Sequence, residues 1–291
     1  VVIIYNSMIM WIVILGIWNN LMIRSKQRRY GSLARKGSYE VPMYLAILTF
    51  AYIIFWVGMR SGVADTGTYI MGFNSCSTSL SDIPQYWNFA EEKSPGFITF
   101  NIIFKHFIST DYHVWLMTIA ILTSIPIMLV LRKHSGYFFY SMFLFMTGLI
   151  FFWMLNGMRQ FWAAAIIFLF SDWIEKRKTI PFMIVVLLAA TIHFTVLVMI
   201  PMYFIATEKP FGKKVMVFLG LLLMAIIFLE PFVGAIEGIL EETAYSGVTE
   251  QFAQDDGVNP IRVLVMADTP MIAFWGRKIV AKKENTFINI C

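Results

Sequence analysis

The chain has 291 residues, 58% of them hydrophobic and 14% charged, with a net charge of +5 and a mean hydropathy of +0.69. A soluble domain carries about 25% charged residues, so the composition excludes an ordinary soluble protein and predicts an integral membrane protein. The excess of positive charge does not point to nucleic acid. The basic residues sit in short loops between apolar runs, where they act as topology signals and meet anionic lipid headgroups.

A spanning helix needs roughly 20 apolar residues. Val1–Ile23 is the first such run, followed by a loop carrying Arg24, Lys26, Arg28, Arg29, Arg35 and Lys36 and no acid before Glu40. Loops rich in Lys and Arg stay cytoplasmic, so this cluster predicts that the first run goes inward and that Val41–Met59 returns outward. Arg60–Gly96 then reads as an acid-leaning external loop, with Asp65, Asp82, Glu91 and Glu92 against Lys93. Phe97–Ser109 is apolar but too short to span and contains Lys105 and His106, which predicts a re-entrant or interfacial helix.

Val114–Leu131 is expected to go inward to Arg132, Lys133 and His134, and Tyr137–Leu155 outward to a polar tip, Asn156-Gly157-Met158-Arg159-Gln160. Phe161–Ile174 returns to Lys176, Arg177 and Lys178. Ile180–Ala206 is one long apolar stretch interrupted by Thr191, His193 and Thr195, with basic residues on both sides. The positive-inside bias favours a hairpin turning near His193 over one long tilted helix. Val215–Leu229 goes outward, an acidic loop from Phe232 to Pro260 follows, and Ile261–Trp275 goes inward to Arg277, Lys278, Lys282 and Lys283. Every basic loop falls on one side under this scheme. The expected fold is an all-α, polytopic transmembrane helical bundle forming a single transmembrane domain over residues 1–291. The chain begins within an apolar run and ends at Phe287-Ile288-Asn289-Ile290-Cys291, so it is expected to be incomplete at both ends, with further helices on the C-terminal side. Cys76 and Cys291 fall on opposite sides of the membrane, so no disulfide is expected between them.

Ionisable residues at membrane depth are costly and mark sites or pathways. Four lie at the outer ends of apolar segments: Arg60, Arg159, His193 and Arg262. Gathered at one level of a bundle, three arginines and a histidine make a cationic pocket suited to phosphate, because the planar guanidinium donates two parallel bonds to two oxygens. A pyrophosphate carried on a lipid presents its charge at this depth. The plainer reading is that arginines near helix ends snorkel to the interface as anchors. His193 serves either as a satisfied polar residue between helices or as a proton carrier. In Arg60-Ser61-Gly62-Val63-Ala64-Asp65-Thr66-Gly67-Thr68-Tyr69 the glycines suit a tight turn that returns Asp65 and Tyr69 to the membrane surface. No His or Cys spacing suits a metal, and there is no Walker loop or dinucleotide fingerprint. Neither a cofactor nor a metal is expected.

The series Arg60…Asp65-Thr66…Tyr69, Asn156-Gly157-Met158-Arg159-Gln160…Ala163, Ala189…Ile192-His193 and Asn259-Pro260-Ile261-Arg262 resembles the EpsG family of bacterial membrane proteins, related to Wzy-type polysaccharide polymerases. Ala64 departs from the family pattern, which usually has a hydroxyl residue beside the aspartate. The resemblance implies a glycosyltransferase that polymerises undecaprenyl-diphosphate-linked oligosaccharide repeats into exopolysaccharide or capsule at the outer face of the cytoplasmic membrane. It also implies a flippase and a chain-length regulator as partners, with no nucleic acid. Taken with the residues, it predicts Arg60, Arg159 and Arg262 as diphosphate ligands, Asp65 or His193 as general base, and Asn156 and Gln160 as groups orienting sugar or phosphate oxygens. Tyr69 is expected on the substrate-binding side. Two rival functions remain: a lipid-oligosaccharide flippase or transporter, which fits arginines at one end of a bundle, and an acyltransferase or O-antigen ligase-like transferase acting on surface glycans, which fits a histidine facing the outer side.

Overall fold

A computed structural model describes residues 2–30, 41–88, 92–208, 212–227 and 275–276. Every regular element among them is helical. By length and composition, two described helices can cross a membrane, or three if one bent pair counts as a single span. The chain divides into two compact units, Val1–Ile83 with Gly96–Leu169, and Pro84–Pro95 with Phe170–Cys291.

In the first unit, α1 (Val2–Tyr30) carries the first apolar run and continues into the basic segment. α2 (Met43–Gly58) starts after Pro42, whose φ of −52° suits a first helical turn and whose carbonyl accepts from Leu45 and Ala46 N–H at 3.0 and 3.2 Å. Trp11 of α1 donates Nε1–H to the Leu48 carbonyl at 3.0 Å, and the Ser7 and Tyr52 hydroxyls lie 3.0 Å apart. The segment expected to be an external loop contains α3 (Thr66–Ser75) and a 3-10 turn, Leu80–Asp82. α4 (Pro95–Phe107) is the predicted short helix.

Lys105 and His106 of α4 both have partners in α3 and the segment after it. Lys105 Nζ donates to the carbonyls of Phe73, Asn74 and Cys76 at 3.0, 3.1 and 2.6 Å. These groups lie at the C-terminal end of α3, where helix carbonyls lack internal partners and favour a cation. His106 Nδ1 lies 3.0 Å from the Thr78 carbonyl.

α5 (Tyr112–His134) is the centre of the unit. Asp111 caps it by accepting from His113 N–H at 2.7 Å, and Arg132, Lys133 and His134 close its last turn. It packs against α2 and α8. Arg132 Nε donates to the Val41 carbonyl at 2.9 Å, while a Cβ on Gly58 would lie 2.8 Å from Met117 Cα. The start of α2 therefore meets the end of α5 and the reverse, so the two helices are antiparallel. Of the apolar windows, 56% of α5 is buried but only 22% of α1, so α1 is the peripheral helix.

Tyr137–Leu155 was expected as one span. It is two helices, α6 (Phe138–Thr147) and α7 (Leu149–Asn156), bent by 62° at Gly148. A break frees backbone carbonyls that hydrocarbon cannot satisfy. Here Gly148 N–H bonds the Leu144 carbonyl at 2.9 Å, and the Tyr5 hydroxyl of α1 donates to the Met146 carbonyl at 2.7 Å. α8 (Met158–Leu169) follows at once. Its predicted continuation to Ile174 is interrupted after Leu169.

In the second unit, α9 (Asp172–Glu175) is a single turn and α10 (Thr179–Ile192) ends at His193. His193 has extended backbone, a 3-10 turn covers Phe194–Val198, and α11 (Met199–Ala206) follows. Phe182 stacks on Tyr203 with centroids 5.3 Å apart, and the Thr179 and Tyr203 hydroxyls lie 2.7 Å apart. Arg177 Nη2 donates to the Thr207 carbonyl at 3.0 Å. The long apolar stretch is thus a hairpin with His193 at its turn. α12 (Lys213–Ile227) matches the next expected segment. The predicted loop 232–260 and the segment from Ile261 to Trp275, apart from Trp275 itself, lie outside the described residues.

Candidate functional site

Arg60 leaves the end of α2 and turns inward, with only 8% of it exposed. Its Nη1 donates to the Val57 carbonyl at 2.6 Å, in the last turn of α2, and its Nε donates to Thr66 Oγ1 at 3.0 Å. Thr66 is fully buried and passes its own hydroxyl hydrogen to the Val63 carbonyl. Two of the guanidinium nitrogens are therefore committed to holding the turn between α2 and α3. The third, Nη2, is buried with no hydrogen-bond partner among the described residues. Burial pushes the Arg60 guanidinium down to about 10, with nearby Tyr69 acting the other way, so it stays cationic at neutral pH.

The turn itself is tight. Gly62 has φ +80° and Ala64 φ +53°. Glycine adopts the first without steric cost, whereas the alanine is strained by about 1 kcal/mol. Asp65 follows, exposed, at the head of α3, and its side chain does not cap the helix. Its carbonyl accepts from Tyr69 N–H at 3.2 Å, so Asp65 and Tyr69 share a face one turn apart.

Tyr69 connects the two arginines. The Arg159 guanidinium carbon lies 5.8 Å from the Tyr69 ring centroid and 5.9 Å from that of Phe97. Phe97 packs edge-on against Tyr69 at 6.5 Å and against Trp162 at 6.2 Å. Aromatic faces attract a guanidinium and hold its plane. Arg159 is the second residue of α8, at a helix start where the macrodipole disfavours a cation by about 0.3–1 kcal/mol. Rings of this kind offset that cost, and an anion arriving there meets both charge and dipole.

Asn156 ends α7, exposed, and Gly157 alone connects it to α8. Gly157 N–H bonds the Trp153 carbonyl and its own carbonyl accepts from Phe161 N–H, both at 2.8 Å. Gln160 folds back over this junction, its Oε1 3.4 Å from where a Cβ on Gly157 would stand.

The structure therefore brings Arg60, Tyr69 and Arg159 together in the first unit, with Asp65 on the face of Tyr69 and Asn156 and Gln160 flanking Arg159. His193 belongs to the second unit. There its Nδ1 lies 2.8 Å from Thr195 Oγ1 and accepts from Thr195 N–H, capping the turn of the hairpin. Arg262 lies outside the described residues. Thr66, Phe97 and Trp162 are the participants that sequence reasoning did not single out. Thr66 was visible as the residue after Asp65, but its partner across the turn was not. Among the described residues no group of three or more His, Cys, Asp or Glu is placed to hold a metal ion.

The model of one protein family, the EpsG family, matches residues 43–291. No curated protein and no solved structure matches the chain.

Proposed function

The chain belongs to the EpsG family, and from that premise we propose that it is a polysaccharide polymerase of the bacterial cytoplasmic membrane. It joins oligosaccharide repeat units carried on undecaprenyl diphosphate into exopolysaccharide or capsule. The work is done at the outer face, supplied by a flippase and bounded by a chain-length regulator.

The observation that carries this reading is the pair of arginines around Tyr69. Arg60 is locked by Thr66 and the end of α2 yet keeps Nη2 buried and, among the described residues, uncommitted. Arg159 is held by aromatic rings at a helix start. Fixed cations in a desolvated place stabilise charge without reorganising. In the proposed step a hydroxyl oxygen of the acceptor sugar attacks the anomeric carbon of the donor chain. The bond from that carbon to the diphosphate oxygen breaks, and the diphosphate leaves with the electron pair, its charge met by Arg60 and Arg159. The acceptor proton passes to a carboxylate, for which exposed Asp65 is suited. His193 remains the other candidate base. Asn156 and Gln160 orient oxygens beside Arg159. The lipid diphosphate is already an activated leaving group, so the step needs no nucleotide.

The test is replacement of Arg159 by Ala and by Lys in the full-length protein in its parent strain, with membrane levels checked and lipid-linked glycans resolved by size. Loss of long polymer with single repeats accumulating on the outer face is the expected result. Repeats trapped on the inner face assign the protein as a flippase. A normal glycan profile in both variants reduces Arg159 to an interfacial anchor and overturns the reading.

A further inference from the structure

The first unit has a half-open cavity of about 270 Å3 that Arg60 helps to line. Its walls come from α1, the end of α2 with the following turn, and α7, including Tyr5, Met8, Trp56, Phe151 and Leu155, and Arg60 lines it as well. Tyr5 is held there by its bond to the Met146 carbonyl, and it packs on Phe151 and Phe152 with centroids 6.1 and 5.3 Å away.

Its chemistry is one-sided. The walls are mostly apolar, with Arg60 as the one cation and Ser61 and the Trp56 indole as further polar groups. A sugar needs many hydrogen-bond partners and finds few in it. Pockets that enclose a drug-sized ligand run to about 300–1,000 Å3, so this one takes a short stretch of hydrocarbon rather than a whole molecule. α1 is the peripheral helix of the unit, with Val2, Ile3 and Met10 exposed, so one wall of the cavity borders the bilayer. Arg60, more than nine-tenths buried, lines it with Nη2 uncommitted among the described residues.

We infer that this cavity seats the head-proximal isoprenoid units of a polyprenyl diphosphate, with the diphosphate against Arg60 and the rest of the tail leaving past α1 into the bilayer. The inference rests on the polymerase reading and adds to it the place where the lipid part of the substrate is held. It separates the two halves of that substrate, with lipid on the α1–α7 side of Arg60 and glycan on the Tyr69–Arg159 side.

The experiment uses the full-length protein in nanodiscs and a photoreactive polyprenyl diphosphate that carries no sugar, with cross-linked peptides mapped by mass spectrometry. Labelling is expected on α1 around Tyr5–Met8 and on α7 around Phe151–Leu155. Unlabelled polyprenyl diphosphate should compete it away, and an equal excess of phosphatidylglycerol should not. Arg60→Ala should reduce it roughly tenfold, the loss of about one hydrogen bond to a charged group. Leu155→Trp, which fills the cavity, should abolish it, while Leu155→Ile, which keeps the volume, should not. Thermal stability of the two Leu155 variants shows that both are folded. If Leu155→Trp does not fold, Met8→Phe replaces it with the same expectation. Competition by phosphatidylglycerol, or labelling unchanged by filling the cavity, overturns the inference. The two readings fail differently. Normal polymer with no cavity labelling rejects the lipid seat alone, whereas cavity labelling in a protein whose loss traps repeats on the inner face rejects the polymerase.

Discussion

Thr66→Val is the sharpest test of how the site is built. Valine reproduces the shape of threonine but removes the hydroxyl that accepts from Arg60 Nε at 3.0 Å. Thr66 is fully buried, so water cannot replace the lost partner. The Val63 carbonyl keeps its bond from Thr66 N–H at 3.2 Å, and the damage therefore falls on the guanidinium. A hydrogen bond to a charged group contributes about 1.5–3 kcal/mol. With only the Val57 carbonyl left among its described partners, Arg60 loses its fixed orientation. The variant should melt several degrees lower in detergent and give shorter polymer in cells, and Thr66→Ser should restore both. Equal stability and equal chain length in Thr66→Val and the parent would refute the view that Thr66 aims Arg60. Failure of Thr66→Ser to the same degree would assign the effect to the lost methyl group instead.

Two further outcomes follow from the packing and the loop. Gly58→Ala puts a methyl 2.8 Å from Met117 Cα, which is backbone and cannot swing aside. α2 and α5 must part, at about 1–3 kcal/mol, read as a lower melting temperature, and an unchanged one contradicts the close approach. Burial raises the Cys76 thiol above its ordinary range, while the Lys105 ammonium acts the other way. In a Cys291→Ser background, maleimide labelling of Cys76 should therefore lag that of an exposed thiol at pH 7 and catch up only above the usual thiol range. Lys105→Met should slow it further. Labelling at pH 7 as fast as a free thiol would reject the buried environment.

Apolar run length and flanking charge made α1, α2, α5 and α12 readable, because a helix in a membrane must satisfy its own backbone and little else competes. The hairpin at His193 was readable for the same reason, through the basic residues at both its feet. The break at Gly148 was not, since hydropathy runs on through it and the compensating group, Tyr5, comes from the far end of the unit. Nor was α3, whose polar and glycine-containing segment looks like loop until Phe73 is seen stacked on Trp115 at 4.6 Å. In the site, Arg60, Tyr69 and Arg159 stood out because charge and polarity at the ends of apolar segments demand a reason. What holds them is non-local: Thr66 lies across a left-handed turn, and Phe97 arrives from α4. Lys105 was visible in the short helix, but its partners, the carbonyls at the C-terminal end of α3, were not.

The bend between α6 and α7 also bears on thickness. Straight, the pair would reach about 27 Å at 1.5 Å per residue. Bent by 62°, it advances only about 21 Å along the axis of α6, against a hydrocarbon layer of about 30 Å. Such a deficit is met by local thinning of the bilayer or by a polar tip drawn below the headgroup plane. On the proposed function, such a shortfall would draw Asn156 and Arg159 below the headgroup plane, where a lipid-borne phosphate sheds part of its water.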